Sequence, residues 1–211
     1  MNKKTAFTLA EILITLGIIG VVVAITLPTI VTNYQKEKTI SYVRKFYNEI
    51  NNAIRLSVVQ NGDVELWMPE KRGNTYQENL EIVKNYILPY IQYDHFDICD
   101  SIRVCVYLPY GMFSYRVDIN GGDIGFFVNR KYELTPKNYF AFQFNKGENG
   151  KGTIEPYSYL WDENYSSLKT NSWGGCNANA GDAKYAYCTK WIQMNDWKVP
   201  KDYPWNNDKK E

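Results

Sequence analysis

The chain of 211 residues carries 24 basic and 23 acidic side chains, a net charge of +1, with 22% charged and 45% hydrophobic residues. This composition excludes long disordered tails and collagen-like or coiled-coil fibres, and near-neutrality gives no broad attraction for a phosphate backbone. Eighteen tyrosines, nine phenylalanines and six tryptophans favour half-buried strands and contact surfaces, where an apolar ring with a polar tip is useful.

The first element is apolar. Phe7 to Val31 reads FTLAEILITLGIIGVVVAITLPTIV, with Glu11 as its single charge, behind Met1-Asn2-Lys3-Lys4-Thr5-Ala6. As a helix rising ~1.5 Å per residue it is long enough to cross a hydrocarbon core of about 30 Å. Lys3 and Lys4 precede it and no comparable basic cluster follows immediately, so the leader is expected to stay cytoplasmic and the bulk of the chain to be extracytoplasmic. A secretory signal peptide is the alternative. Glu11 opposes it, because a carboxylate in an apolar run is costly and usually has a partner, which a disposable signal does not need. A cut between Ala6 and Phe7 would create an α-amino group four residues before Glu11, on the same helix face.

Ala6-Phe7-Thr8-Leu9-Ala10-Glu11 followed by an apolar helix resembles the prepilin leader and N-methylation motif of type IV pilins and of type II secretion pseudopilins. The resemblance implies a leader of residues 1–6, removed by a prepilin peptidase that also methylates the amine of Phe7. It further implies a membrane and assembly helix over 7–31 and an extracytoplasmic head over 32–211. Glu11 takes the place of the acid that neutralises a neighbouring subunit's amine during filament assembly. Gly17, Gly20 and Pro28 fall where pilin stems carry helix-loosening residues. The family usually has Gly before the cut, where this chain has Ala6, another small residue. Independently of any family, Pro28 inside a helix removes a hydrogen bond and crowds the preceding turn, and Gly20 weakens the helix further. Membrane helices tolerate both residue types, and a stem that stretches on leaving the bilayer would use them.

Beyond Pro28 the pattern turns amphipathic. Ile40, Val43, Phe46, Tyr47, Ile50 and Ile54 recur at three- and four-residue intervals, predicting a helix that runs to Gln60 and stops at Asn61-Gly62. The rest of the chain must cover that stripe. Asn79 to Tyr93 predicts a short helix interrupted at Pro89. Arg103–Leu108, Pro109-Tyr110-Gly111 and Met112–Ile119 predict a hairpin, with further strands at Gly125–Asn129 and Tyr139–Phe144. Three or four antiparallel strands on the amphipathic half-helix make an α+β head, the architecture that the pilin resemblance also implies.

From Glu155 onward aliphatics are scarce and a long ordered loop region is expected, with a short helix or strand near Tyr185 to Met194. The tryptophans at 161, 173, 191, 197 and 205 suit a loop-rich core, a subunit contact or sugar stacking. Trp197-Lys-Val-Pro200 with Tyr203-Pro-Trp205 looks like a tail of some prepilin-like proteins. An even cysteine count in a translocated domain favours disulfides. Four cysteines allow three pairings, of which the sequential one is expected, Cys99 with Cys105 and Cys176 with Cys188. No C-x-x-C pair supports a zinc site.

Catalytic signals are weak. His95, the single histidine, lies between two acids in Tyr-Asp-His-Phe-Asp, but no nucleophile motif accompanies it, and a polar loop histidine is the simpler reading. Gly147 to Thr153 departs from a phosphate loop at both ends and reads as a turn. Asp118-Ile-Asn-Gly-Gly-Asp123 offers Asp118, Asn120 and Asp123 as calcium candidates, or is simply a hairpin turn. It also looks like the strand end of pseudopilin-like heads. No enzymatic activity and no other cofactor is expected. The sequence thus points to a structural filament subunit whose partners are a prepilin peptidase, related subunits and membrane lipid. The alternative is an adhesin-like minor pilin whose aromatic head binds glycan or DNA.

Overall fold

The computed structural model describes residues 8–67, 75–118, 121–147 and 150–205, without the side chain of Asp118. The chain divides into two compact units, Met1–Lys38 and Thr39–Glu211. Helix α1, Leu9–Asn61, contributes to both.

In the first unit α1 passes through Gly17, Gly20 and Pro28 without a break. The hydroxyls of Thr15, Thr26 and Thr32 donate back to carbonyls three or four residues earlier, so these polar side chains are satisfied within the helix. Every residue from Thr8 to Val31 is exposed.

The second unit begins with the remainder of α1, which buries Ile40, Val43, Phe46, Ile50, Ala53 and Ile54 along one stripe. Asn61 ends the helix, and Gly62 adopts φ 80°, the left-handed conformation that terminates helices at little cost for glycine. A 3₁₀ turn follows at Val64–Leu66. The next helix starts earlier than its apolar residues suggest. A reciprocal cap between Thr75 and Glu78 opens α2, Tyr76–Ile82, which continues as a π-helical turn, Val83–Ile87, and a 3₁₀ turn, Leu88–Tyr90, that holds Pro89.

Six antiparallel strands follow as a simple meander, β1 His95–Ile98, β2 Val104–Leu108, β3 Gly111–Asp118, β4 Gly121–Phe127, β5 Tyr139–Asn145 and β6 Thr153–Pro156. This exceeds the expected three or four. The additions are the short edge strands, whose lengths of four residues carry little periodicity. Register places Phe113, Phe126 and Phe142 on the α1 side of three successive strands, and the Phe46 ring packs against all three at centroid distances of 5.5, 4.5 and 5.5 Å. Asn51 of α1 pairs with both the N–H and the C=O of Ile154, so the outer edge of β6 is closed by a side chain instead of being left open.

Asn79 fastens α2 in the same way. Its buried amide donates to the carbonyls of Thr75 and Ile102 and accepts from the Val117 N–H at 2.6 Å.

β4 begins four residues before the predicted Gly125. Gly121 and Gly122, which look like turn residues, are strand residues where backbones crowd: a Cβ on Gly121 would lie 1.9 Å from the Phe144 oxygen. The C-terminal region adds α3, Ser167–Thr170, and α4, Cys188–Met194. Disulfides join Cys99 to Cys105 and Cys176 to Cys188, with Cα separations of 5.1 and 4.7 Å. The second restrains a loop-rich region and contributes on the order of 2–3 kcal/mol by limiting the unfolded chain. Trp191 and Trp205 are buried, with Tyr203 between them, whereas Trp161, Trp173 and Trp197 are half-buried. The tail therefore supplies aromatic core material.

Candidate functional site

Two places in the chain gather chemistry that packing alone does not require. The first is the start of the stem. Thr8 precedes the first helical residue, and Glu11 stands three residues on. The Thr8 N–H and hydroxyl each donate to Glu11 Oε2 at 2.8 Å, and the Glu11 N–H returns a bond to Thr8 Oγ1 at 3.3 Å. This is a capping box, in which hydroxyl and carboxylate satisfy orphan N–H groups at the helix start. Glu11 Oε1 accepts no hydrogen bond among the described residues. Ala6 and Phe7, and with them the processing site, lie outside the described residues. Gly20 and Pro28 are exposed helical residues, and nothing lies within 4 Å of a Cβ built on Gly20.

The second place is the sheet face turned away from α1. Side chains alternate along strands, so Ser114, Gly125 and Ala141 share this outer face, and register sets them side by side across β3, β4 and β5. The neighbouring rows are large: Met112, Phe127 and Tyr139 on one side, Arg116, Asp123 and Gln143 on the other. The row of small residues floors a cavity of about 460 Å³. Tyr132, Tyr139, Tyr157 and Trp173 wall it with rings, and Arg103, Arg116, Asp123 and Asp182 bring two positive and two negative charges.

Several of these groups are held in place. Asp100 accepts from the N–H groups of Ile102 and Arg103 and from the Arg103 guanidinium at 2.8 Å. Burial opposes its ionisation, yet these donors hold its carboxyl below the usual range; burial likewise opposes the Arg103 charge, and the Asp100 carboxylate outweighs it and raises the Arg103 pKa. Burial pushes the phenols of Tyr132, Tyr139 and Tyr157 up, and Asp123 adds to the effect at Tyr139 and Tyr157. Neither the Tyr139 nor the Tyr157 hydroxyl makes a hydrogen bond among the described residues.

The remaining sequence-derived candidates lie elsewhere. His95 opens β1 and stacks on Tyr107 at 4.2 Å, so it is an exposed strand residue, not a loop residue. Of the calcium candidates, Asp123 lies within β4 opposite Arg116, while Asn120 and the Asp118 side chain lie outside the described residues. No group of three or more His, Cys, Asp or Glu side chains suited to a metal occurs among the described residues. Of the Gly147 to Thr153 segment, residues 148 and 149 lie outside the described residues, and the Gly152 N–H donates to the Lys146 carbonyl at 2.8 Å between β5 and β6. The capping box is absent from the sequence expectations, although Thr8-Leu9-Ala10-Glu11 carries its signature. The cavity has no such signature, because its floor exists only once three strands are in register.

A long N-terminal helix on a small antiparallel sheet, with two disulfides and a capped acid near the stem's start, defines a pilin-like α+β protein. Residues 1–27 match the prokaryotic N-terminal methylation motif. Residues 29–206 match a family of unknown function (DUF6613), and the chain belongs to that family. No curated protein and no solved structure matches the chain.

Proposed function

We propose that this chain is a structural subunit of a type IV pilus-like or type II secretion pseudopilus filament, anchored in the cytoplasmic membrane with its head outside the cytoplasm until it assembles. The observation that carries this reading is the exposure of the stem. Fourteen Leu, Ile and Val side chains between Leu9 and Val31 are exposed. At about 1.5 kcal/mol or more for each side chain buried, covering them is worth on the order of 20 kcal/mol, first in lipid and then among neighbouring stems. The methylation motif supports cleavage between Ala6 and Phe7 by a prepilin peptidase and methylation of the new amine.

In this reading Glu11 sets the register between copies. Thr8 occupies Oε2, which leaves Oε1 to meet the Phe7 amine of a neighbour as the stems pack. Gly20 and Pro28 are the points at which the helix stretches during transfer from bilayer to filament. Pro28 has no N–H to offer the carbonyl of Ala24, so extension there sacrifices fewer hydrogen bonds than elsewhere.

The test compares Glu11→Ala with the parent chain in the cell. Membrane insertion and both head disulfides should be retained, while the share of the subunit recovered in sheared filaments falls. Thr8→Val should lower it less, since the carboxylate remains. Equal recovery of Glu11→Ala and parent would remove the assembly role given to Glu11.

A further inference from the structure

The outer-face cavity of the head has features that neither stem assembly nor core packing uses. Between a row of Met112, Phe127 and Tyr139 and a row of Arg116, Asp123 and Gln143, the outer face of the sheet places three small residues, Ser114, Gly125 and Ala141, side by side across the strands. The space above them is left open. A Cβ on Gly125 would meet Ser114 Oγ and Tyr139 Cε2 at 2.9 Å, so even one added methyl group would crowd the floor. Interiors ordinarily fill such space, because an unfilled void forfeits dispersion contacts. The volume of about 460 Å³ lies within the ~300–1,000 Å³ typical of small-molecule sites.

The lining restricts the ligand further. Arg103 and Arg116 face Asp123 and Asp182, and Asp100 pairs with Arg103 at 2.8 Å, so the cavity has no positive excess with which to select phosphate or carboxylate ligands. A strand of nucleic acid would also need a basic track for its backbone. What the cavity does offer is flat rings and many directed polar groups. Trp173 and Tyr157 stand together, with centroids 6.0 Å apart and planes inclined by 31°. The Tyr139 and Tyr157 hydroxyls are available as donors and acceptors, and the exposed Asp182 carboxylate can accept from two adjacent hydroxyls. An uncharged ring with an apolar C–H face and a rim of hydroxyl groups matches this set.

We propose that the cavity on the outer face of the sheet binds a neutral saccharide unit, seated over Ser114, Gly125 and Ala141 with its C–H face against Trp173 and Tyr157. Asp182, exposed at the rim, accepts from sugar hydroxyls, and the paired positions Arg116 and Asp123 border the ring on the side away from Met112 and Phe127. The site lies wholly within the second unit and does not depend on filament assembly. A subunit that never polymerised would still carry it.

The experiment uses the full-length chain in lipid nanodiscs free of glycoside detergent. Saturation-transfer NMR is run with D-glucose, D-galactose, N-acetyl-D-glucosamine, lactose and chitobiose, and separately with a simple phosphate monoester, glycerol 3-phosphate, and adenosine monophosphate. At least one saccharide should show transfer to its ring C–H protons, with a Kd in the millimolar range. Asp182→Asn and Trp173→Ala should each weaken that binding about tenfold, and Ala141→Leu, which fills the floor, should abolish it. Near-UV circular dichroism and intact disulfides show whether each variant keeps its fold. If Ala141→Leu does not fold, Asp182→Asn decides the matter, since that side chain is exposed. Absence of transfer from all five sugars, unchanged binding in folded Asp182→Asn protein, or a stronger response to the phosphate monoester or the nucleotide would overturn the proposal.

Discussion

The two parts of α1 obey opposite rules. From Thr8 to Val31 every residue is exposed, although almost all are apolar, whereas from Thr39 onward the same helix buries one stripe and exposes the rest. The head completes its own core: Phe46 packs against phenylalanines from three strands, and Asn51 and Asn79 satisfy backbone groups that would otherwise be left open. The stem completes nothing. Its backbone is hydrogen-bonded within the helix and its apolar side chains are exposed, and in the proposed reading lipid or other stems cover them. On the proposed reading stability and assembly fall to different stretches of one helix, and substitutions should separate them.

The largest separation is expected at Gly121. Its missing Cβ allows the backbones of β4 and β5 to approach, with a would-be contact of 1.9 Å to a carbonyl oxygen. Gly121→Val should lower head stability by more than about 4 kcal/mol, seen as loss of the near-UV circular dichroism signal, while the stem still inserts into membranes. A folded Gly121→Val head would refute the close-approach explanation. Asn79→Leu comes next. It removes three buried hydrogen bonds and leaves the Val117 N–H and the Ile102 carbonyl unpaired. The expected loss is about 3 kcal/mol in chemical denaturation of the full chain, again without effect on insertion. The smallest effect has the opposite sign. Thr189 is fully buried in α4, and its hydroxyl has no partner among the described residues, so Thr189→Val should raise head stability by about 1 kcal/mol. A decrease would mean that the hydroxyl is satisfied in solution.

Legibility in the sequence followed the range of the forces involved. The stop at Asn61-Gly62 and the β2–β3 hairpin through Pro109-Tyr110 are decided by neighbours in the chain, and the structure places each within a residue or two of expectation. Elements decided by distant partners were hidden. β6 is four residues long and ends in proline, and it is held by β5 on one side and Asn51 on the other. The start of β4 was hidden because Gly-Gly looks like a turn when the actual constraint is a backbone on the adjacent strand. The single-residue signals divided similarly. Glu11 stood out as a charge in an apolar run, but Ser114, Gly125 and Ala141 are unremarked small residues until pairing aligns them.

The filament account rests on a stem that is cut, methylated and buried among copies of itself. Intact-mass and N-terminal peptide mass spectrometry of the protein from its native membrane tests this directly. The account predicts a mature chain that begins at N-methylated Phe7. A mature protein that retains Met1, or one cut after Ala24 in the manner of a secretory signal, would contradict it.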